Sequence, residues 1–295
     1  MKKIIIAGGT GFIGDYLSHY FKSNGYEVFI ISRQAPHIQW TDTTGIANAL
    51  EGAECLINMA GKSVDCRYNA ANKAAILSSR IDTTKQLGEA IKACKNPPKV
   101  WMNSSTATIY RHEEERANTE STGIIGEGFS VSVAKAWEEK FFSFHLPQTR
   151  QVALRIAIVL GNAGGAFVPL KNLVKFGLGG QQGNGQQLFS WLHIEDLKNM
   201  LVFIMQNEQL NGAVNCVSPH AIQNKTMMQA LRKAMHVSIG LPAPKWLLQL
   251  GARFIKTETE LVLKSRWVYP ETLLNNGFQF TYPTIELALE DLIKQ

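Results

Sequence analysis

The sequence predicts an α/β protein in which a parallel sheet is covered on both faces by helices. Two observations carry this. Short apolar, strand-like runs alternate with helix-like runs over the first 160 residues. A glycine-rich turn, Ala7-Gly8-Gly9-Thr10-Gly11-Phe12-Ile13-Gly14, joins the first strand-like run to the first helix-like one. The composition is that of a globular chain of one large or two intimate domains: 295 residues, 45% hydrophobic and 18% charged.

Each element has a local reason. Lys3 to Ala7 is a short apolar strand. Phe12 to Asn24 reads as a helix, with Phe12, Ile13, Tyr16, Leu17, Tyr20 and Phe21 on a broad apolar face. Gly25 is placed to end it. Glu27 to Ser32 and Cys55 to Ala60 are strands, and Asn69 to Cys94 is a long helix-like region. Lys99 to Ser104 and Val152 to Leu160 are further strands, with a helix from Val131 to Phe142 between them. Gly161 to Gly165 and Gly177 to Gly185 are glycine-rich, as suits a flexible segment over a cleft. Asp196 to Gln206 is a helix and Ala213 to Val217 a strand. Beyond Pro219 the chain reads as helical and irregular, punctuated by Pro242, Pro244, Pro270 and Pro283. The expected division is residues 1–160 as one lobe, to which 190–218 returns, and 161–189 with 219–295 as a smaller C-terminal lobe.

Several functions fit poorly. The net charge is +6, spread evenly along the chain with no basic tail, which does not point to nucleic acid. No apolar run approaches the ~20 residues that span a bilayer. The start Met1-Lys2-Lys3-Ile4-Ile5-Ile6 imitates a secretory leader, but the glycines that follow interrupt it. The four cysteines, at 55, 66, 94 and 216, lack CxxC spacing, and the seven histidines form no HxxxH or HExxH. A cytoplasmic protein without a metal is expected, with a homodimer as one assembly open to it.

The glycine turn carries the first chemistry. Tight turning at Gly8 and Gly11 needs residues without Cβ, and it lets backbone N–H groups and the positive end of a helix face a pyrophosphate. Gly14 lets that helix sit close on the sheet. At the end of the second strand, where NAD sites usually place a carboxylate, stands Ser32-Arg33. Arg33 either grips a 2′-phosphate with its planar fork or is a solvated surface arginine. The first reading favours NADP(H), with NAD(H) possible.

Taken together, the glycine turn, Asn58-Met59-Ala60-Gly61 and Trp191-Leu192-His193-Ile194-Glu195-Asp196 resemble the extended short-chain dehydrogenase/reductase superfamily. More narrowly, the chain resembles its atypical NAD-dependent epimerase/dehydratase-like branch. Members of that branch are labelled sugar-nucleotide epimerases or cell-division-inhibitor-like proteins. Supporting motifs are Ser79-Arg80-Ile81-Asp82-Thr83-Thr84, Trp137-Glu138, and Gly277-Phe278-Gln279-Phe280-Thr281-Tyr282-Pro283. The last 50 or so residues resemble a segment classed there as a domain of unknown function. The resemblance implies a Rossmann-type domain with a smaller C-terminal substrate lobe. It implies cofactor contacts at Gly8, Thr10, Gly11, Phe12, Ile13, Ser32, Arg33, Met59, Ala60 and Arg80.

It also implies a catalytic set: a Ser or Thr, and a Tyr-x-x-x-Lys pair one helical turn apart. Thr106 is the best match for the hydroxyl, Ser105 the second, and Lys135 the lysine. Four residues before Lys135 stands Val131, which can neither give nor take a proton. Tyr110 and Glu138 are other proton sources, each with a structural alternative, and His193 reads as structural. The branch's sugar-nucleotide members often carry an arginine that holds a phosphate, and here that position is Phe189. The expected function is an NADP(H)-binding oxidoreductase or epimerase acting by hydride transfer on a small oxygenated substrate. The alternative, favoured by Val131, is a silent NADP(H) sensor or regulatory protein.

Overall fold

The computed structural model describes residues 2–243 and 265–294. The segment 244–264, with the expected break at Pro244, lies outside them.

Strands β1 (Lys3–Ala7), β2 (Glu27–Ser32), β3 (Ile38–Gln39), β4 (Cys55–Asn58), β5 (Val100–Thr106) and β6 (Arg150–Ile156) belong to one sheet. Its helices are α1 (Phe12–Ser23), α2 (Thr43–Leu50), α3 (Ala70–Ala93) and α4 (Phe129–Phe142). The chain continues through β7 (Ile158–Gly161), β8 (Gly164–Gly165), α5 (Phe167–Lys175), β9 (Leu188–Phe189), β10 (Trp191–His193) and α6 (Ile194–Gln206). Then come β11 (Gly212–Cys216), β12 (Ile222–Gln223), α7 (Asn224–Ala234), α8 (Glu271–Asn275) and α9 (Ile285–Lys294).

The main sheet has seven strands in the order β11-β6-β5-β4-β1-β2-β3. Every pairing in it is parallel. Successive side chains of a strand point to opposite faces, and this sheet buries both. Ile4, Ile6, Ile57 and Leu154 pack against α1 and α6 through Leu17, Phe21, Leu197 and Leu201. Ile5, Ala7, Leu56 and Trp101 pack on the other face against α2, α3 and α4 through Ile46, Leu87, Ile91 and Phe141. The sheet is therefore doubly wound, as predicted. Strand order reverses between β1 and β4, which opens a crevice beyond the strands' C-terminal ends.

A second core gathers Leu160, Phe167, Met227, Leu231 and Leu289 among α5, α7 and α9. It sits with a three-stranded sheet, β10-β7-β8, and a β9–β12 pair. Residues 190–218 serve both parts: α6 and β11 join the main sheet's layers, whereas β10 pairs with β7. Buried Asp196 fastens the C-terminal segment by accepting the N–H groups of Thr281 (2.8 Å) and Tyr282 (2.9 Å).

Several boundaries differ from the sequence reading. The strand expected from Val152 to Leu160 breaks at Ala157, whose N–H goes to Cys216 O at 3.0 Å. The strand expected to reach Ala60 stops at Asn58, because Asn58 Oδ1 accepts the Ala60 N–H at 3.0 Å and turns the chain. The helix expected from Val131 starts at Phe129, after Gly128 at φ 105°. The helix expected from Asp196 starts at Ile194, where His193 Nδ1 caps it by accepting the Glu195 N–H.

Candidate active site

A cavity of about 440 Å³ lies where the strand order reverses. One end is walled by backbone. Gly8, Gly11, Phe12, Ile13 and Gly14 line it, together with Met59 and Ala60 from the end of β4. The glycines serve different ends. A Cβ on Gly8, which has φ +78°, would stand 2.8 Å from Ala60 N, and one on Gly14 would stand 2.6 Å from Gly8 O. Both are therefore needed for close approach of chain to chain. A Cβ on Gly11 would meet only Gly8 O, at 3.5 Å, so its bareness keeps the cavity open at the start of α1. The Phe12 ring lies on Gly161, Gly164 and Gly165, where added Cβ atoms would come within 2.7–3.0 Å of it. The first of the glycine-rich stretches is thus the seat of Phe12.

Thr10, Ser32 and Arg33 do not line this cavity. Thr10 Oγ1 is 3.3 Å from Ser32 Oγ, which accepts the Gln34 N–H, and Arg33 is exposed at the end of β2.

The side formed by β4 and α3 carries the cavity's two cations, Lys62 and Arg80. Arg80 Nη1 donates to Ile76 O (2.9 Å) and Lys62 O (3.1 Å). Its guanidinium lies over the Trp137 ring, 5.0 Å from the centroid, and Trp137 Nε1 donates to Thr84 Oγ1. Burial pulls the Arg80 pKa down. Gly61 leaves room for this head group, since a Cβ there would press on it at 3.2 Å.

The opposite wall comes from β5, α4 and the β6–β7 connection. Ser105 and Thr106 both line the cavity. Thr106 Oγ1 accepts the Thr108 N–H at 3.1 Å, which leaves its own proton to donate. Ser105 Oγ donates to Glu138 Oε1 at 2.6 Å, which leaves its lone pairs to accept. Glu138 is buried and is reached from the cavity through Ser105. Arg155 grips both oxygens of Glu138, Nε at 2.9 Å and Nη2 at 2.8 Å, and its Nη1 donates to Tyr110 Oη at 2.7 Å. Burial works to lower the Arg155 pKa, but its bonds and charge pairing with Glu138 prevail and it is raised. Tyr110 Oη donates onward to Asn215 Oδ1 at 2.9 Å. Tyr110 is buried away from the cavity, and burial pushes its pKa up.

Helix α4 turns Ser130, Val133, Ala134 and Trp137 toward the cavity. Lys135 is exposed and outside the cavity lining, and Val131 is buried outside it. The reason is helical phase: each step along an α-helix rotates the side chain by ~100°. The pairs four residues apart on the cavity face therefore include Ser130 and Ala134, one residue before the pair expected from the sequence, but not Val131 and Lys135. The structure brings Gly8, Gly11, Phe12, Ile13, Met59, Ala60, Arg80, Ser105 and Thr106 around one space, and leaves Thr10, Ser32, Arg33 and Lys135 outside it. Sequence reasoning missed Ser130, Trp137 as the platform for Arg80, and Arg155. Arg155, the fourth residue of the strand expected from Val152 to Leu160, was the one available signal for a buried partner.

Comparison with known proteins gives a consistent picture. The model of the NAD dependent epimerase/dehydratase family matches residues 4–133. A domain of unknown function, DUF1731, matches residues 243–292. The epimerase family protein YfhF of Bacillus subtilis (strain 168) is 31% identical over 98% of this chain and 97% of its own. Among solved structures, human epimerase family protein SDR39U1 (isoform 2) with NADPH superposes with a TM-score of 0.88. It is 27% identical, and the match covers 99% of both chains. The nucleoside-diphosphate sugar epimerase of Corynebacterium glutamicum gives a TM-score of 0.79 at 26% identity, over 99% of this chain and 58% of that one.

Proposed function

The chain belongs to the NAD dependent epimerase/dehydratase family, and from that premise we propose that it is an NADP(H)-dependent oxidoreductase or epimerase acting on a small oxygenated substrate. The glycine turn fits a dinucleotide: Gly11 keeps the start of α1 open, so backbone N–H groups there can face a pyrophosphate. Gly8, Gly11, Phe12 and Ile13 would hold the diphosphate end, Met59 and Ala60 the opposite edge, and Arg80 would offer its remaining N–H groups to the cofactor. Thr10, Ser32 and Arg33 would hold the 2′-phosphate, and the NADPH in the human relative's structure supports that choice over NAD(H). When bound, the dinucleotide gives or takes a hydride.

The observation that carries the enzyme reading is the Ser105–Glu138 bond. Thr106 can donate to a substrate oxygen while Ser105 accepts from it. On oxidation of an alcohol, the substrate O–H proton passes to Ser105 Oγ as the Ser105 proton moves to Glu138. On reduction the same protons return. Arg155 holds Glu138 in place for this exchange. A catalytic tyrosine on α4 is then unnecessary.

The test is NADPH oxidation against a panel of aldehydes, ketones and quinones, with wild type, Ser105→Ala, Thr106→Ala and Glu138→Gln. Loss of turnover in Ser105→Ala and Glu138→Gln, with NADPH affinity retained, supports the relay. Turnover indifferent to Ser105→Ala removes it. The second reading, a cofactor sensor without turnover, draws on the absence of tyrosine and lysine from the cavity face of α4. Tight NADPH binding with no turnover across the panel would favour it.

A further inference from the structure

We propose that the substrate is a small anion, a carbonyl or hydroxyl compound whose carboxylate or phosphate is bound by Lys62 and Ser63, with Lys73 at the rim. The proposal rests on the reading above and narrows it to a substrate class.

The cavity is electropositive. Lys62 and Arg80 line it, and among the described residues no Asp or Glu does. Glu138, behind Ser105, is already matched by Arg155. The aromatic side chains of α4 bring cations of their own. Trp137 carries the Arg80 guanidinium 5.0 Å from its ring centroid, and Phe129 carries the Lys73 ammonium at 5.2 Å. Asp65, the acid nearest to Lys62 in the chain, is exposed and outside the lining. An anion entering this site exchanges water for cations, whereas an uncharged ligand gains nothing from them.

The cations divide between two ligands. Arg80 serves the cofactor in the reading above, which leaves Lys62 over. The Lys62 N–H donates to Ser79 Oγ at 2.9 Å and its carbonyl accepts from Arg80 Nη1 at 3.1 Å, so its backbone is pinned. Its ammonium makes no hydrogen bond or ion pair among the described residues. Ser63 lines the cavity beside it. Ser63 Oγ accepts the Asp65 N–H at 3.1 Å, which leaves its own proton to donate. An ammonium and a hydroxyl donor side by side suit one oxyanion. Tyr68 and Phe129 both line the cavity and meet edge-on at 4.9 Å, and Lys73, exposed over the Phe129 ring, marks the rim.

The placement sets the size of the substrate. Lys62 and Ser63 follow β4, while Ser105 and Thr106 end β5, the strand paired with it. Ser104 Oγ donates to Met59 Sδ at 2.8 Å across the two strand ends. Paired strands run ~4.8 Å apart, so the anionic group and the reacting oxygen bind at neighbouring strand ends. They are therefore a few bonds apart in the substrate, as in an α-keto acid or a hydroxyketone phosphate.

The experiment is calorimetry on the full chain, with and without NADP⁺, at low and at physiological salt. The probes are two anions, each with an uncharged counterpart: phenylglyoxylate with its methyl ester, and dihydroxyacetone phosphate with dihydroxyacetone. UDP-glucose is the large anion. NADPH affinity is read separately by fluorescence, so failure of the cofactor reading shows there and not in the probe series. The expected result is that at least one small anion binds roughly tenfold or more tighter than its counterpart. The pair with the larger ratio tells carboxylate from phosphate. Lys62→Met should weaken that anion roughly 10- to 100-fold and leave its uncharged counterpart and NADPH unchanged. Lys73→Met, at an exposed position, should weaken it roughly 2- to 5-fold, and more at low salt than at physiological salt. Binding of neither anion, anions bound no tighter than their counterparts, or UDP-glucose bound in preference to both overturns the substrate class. Anion affinity retained in a folded Lys62→Met protein overturns the site, and a loss of NADPH affinity in that variant would assign Lys62 to the cofactor instead.

Discussion

The two ends of the cavity are made of different material. At the β1–α1 turn the wall is backbone, and its shape depends on side chains that are absent: Gly8, Gly11 and Gly14 stand bare for steric reasons that a Cβ built on each makes plain. At the β5–α4 wall the shape depends on side chains that are polar and largely buried: Ser105, Glu138, Arg155 and Tyr110 form one chain of hydrogen bonds. A wall of backbone is specified by seven consecutive residues and tolerates almost no change. A wall of paired side chains is assembled from distant residues, and its chemistry moves with the rotation of a single helix.

The contrast is sharpest in stability. Glu138→Leu should cost about 3–5 kcal/mol in urea denaturation, because it strands the Arg155 charge in the interior. Adding Arg155→Met should recover much of that loss, since an apolar pair can replace a buried ion pair. A Glu138→Leu protein as stable as wild type would show that the pair is solvated in solution.

The backbone end should separate fold from binding. Gly11→Val meets only one atom and should leave stability within about 0.5 kcal/mol while abolishing measurable NADPH binding. Gly14→Val should cost about 1–3 kcal/mol, because its Cβ would stand 2.6 Å from Gly8 O and Gly9 Cα. Thermal melts with NADPH fluorescence titrations distinguish the two, and similar behaviour in both variants would erase the distinction drawn here.

Smaller effects follow outside the cavity. Arg33→Ala should weaken NADPH roughly ten- to a hundred-fold and NADH hardly at all, since NADPH alone carries the 2′-phosphate. Parallel loss for both cofactors would place Arg33 elsewhere in binding. Lys135→Ala should change stability by less than about 0.5 kcal/mol and leave NADPH affinity unaltered, as befits an exposed helix residue. A large loss of affinity would return Lys135 to the site.

What could be read from the sequence divides along the same line. The parallel doubly wound sheet and the glycine turn follow from patterns local to the chain, namely apolar alternation and residues without Cβ. The phase of α4 does not. Val131 and Lys135 have the spacing of a catalytic pair, but spacing four apart holds on every face of a helix. Only packing against β5 and the β6–β7 connection decides that Ser130 and Ala134 face inward. Glu138 reads as a surface residue until Arg155, seventeen positions later on a neighbouring element, is known to meet it. The break at Ala157 is equally non-local, because its partner carbonyl belongs to Cys216.

Phe12 ties the first helix to a loop some 150 residues away. Its ring lies on Gly161, Gly164 and Gly165, so the opening turn and the β7–β8 loop are two halves of one mechanical part. Anyone building chimaeras from this protein and a relative would have to exchange both halves together. The first half alone would drive a ring into foreign side chains. The second alone would leave three bare glycines beneath an empty socket.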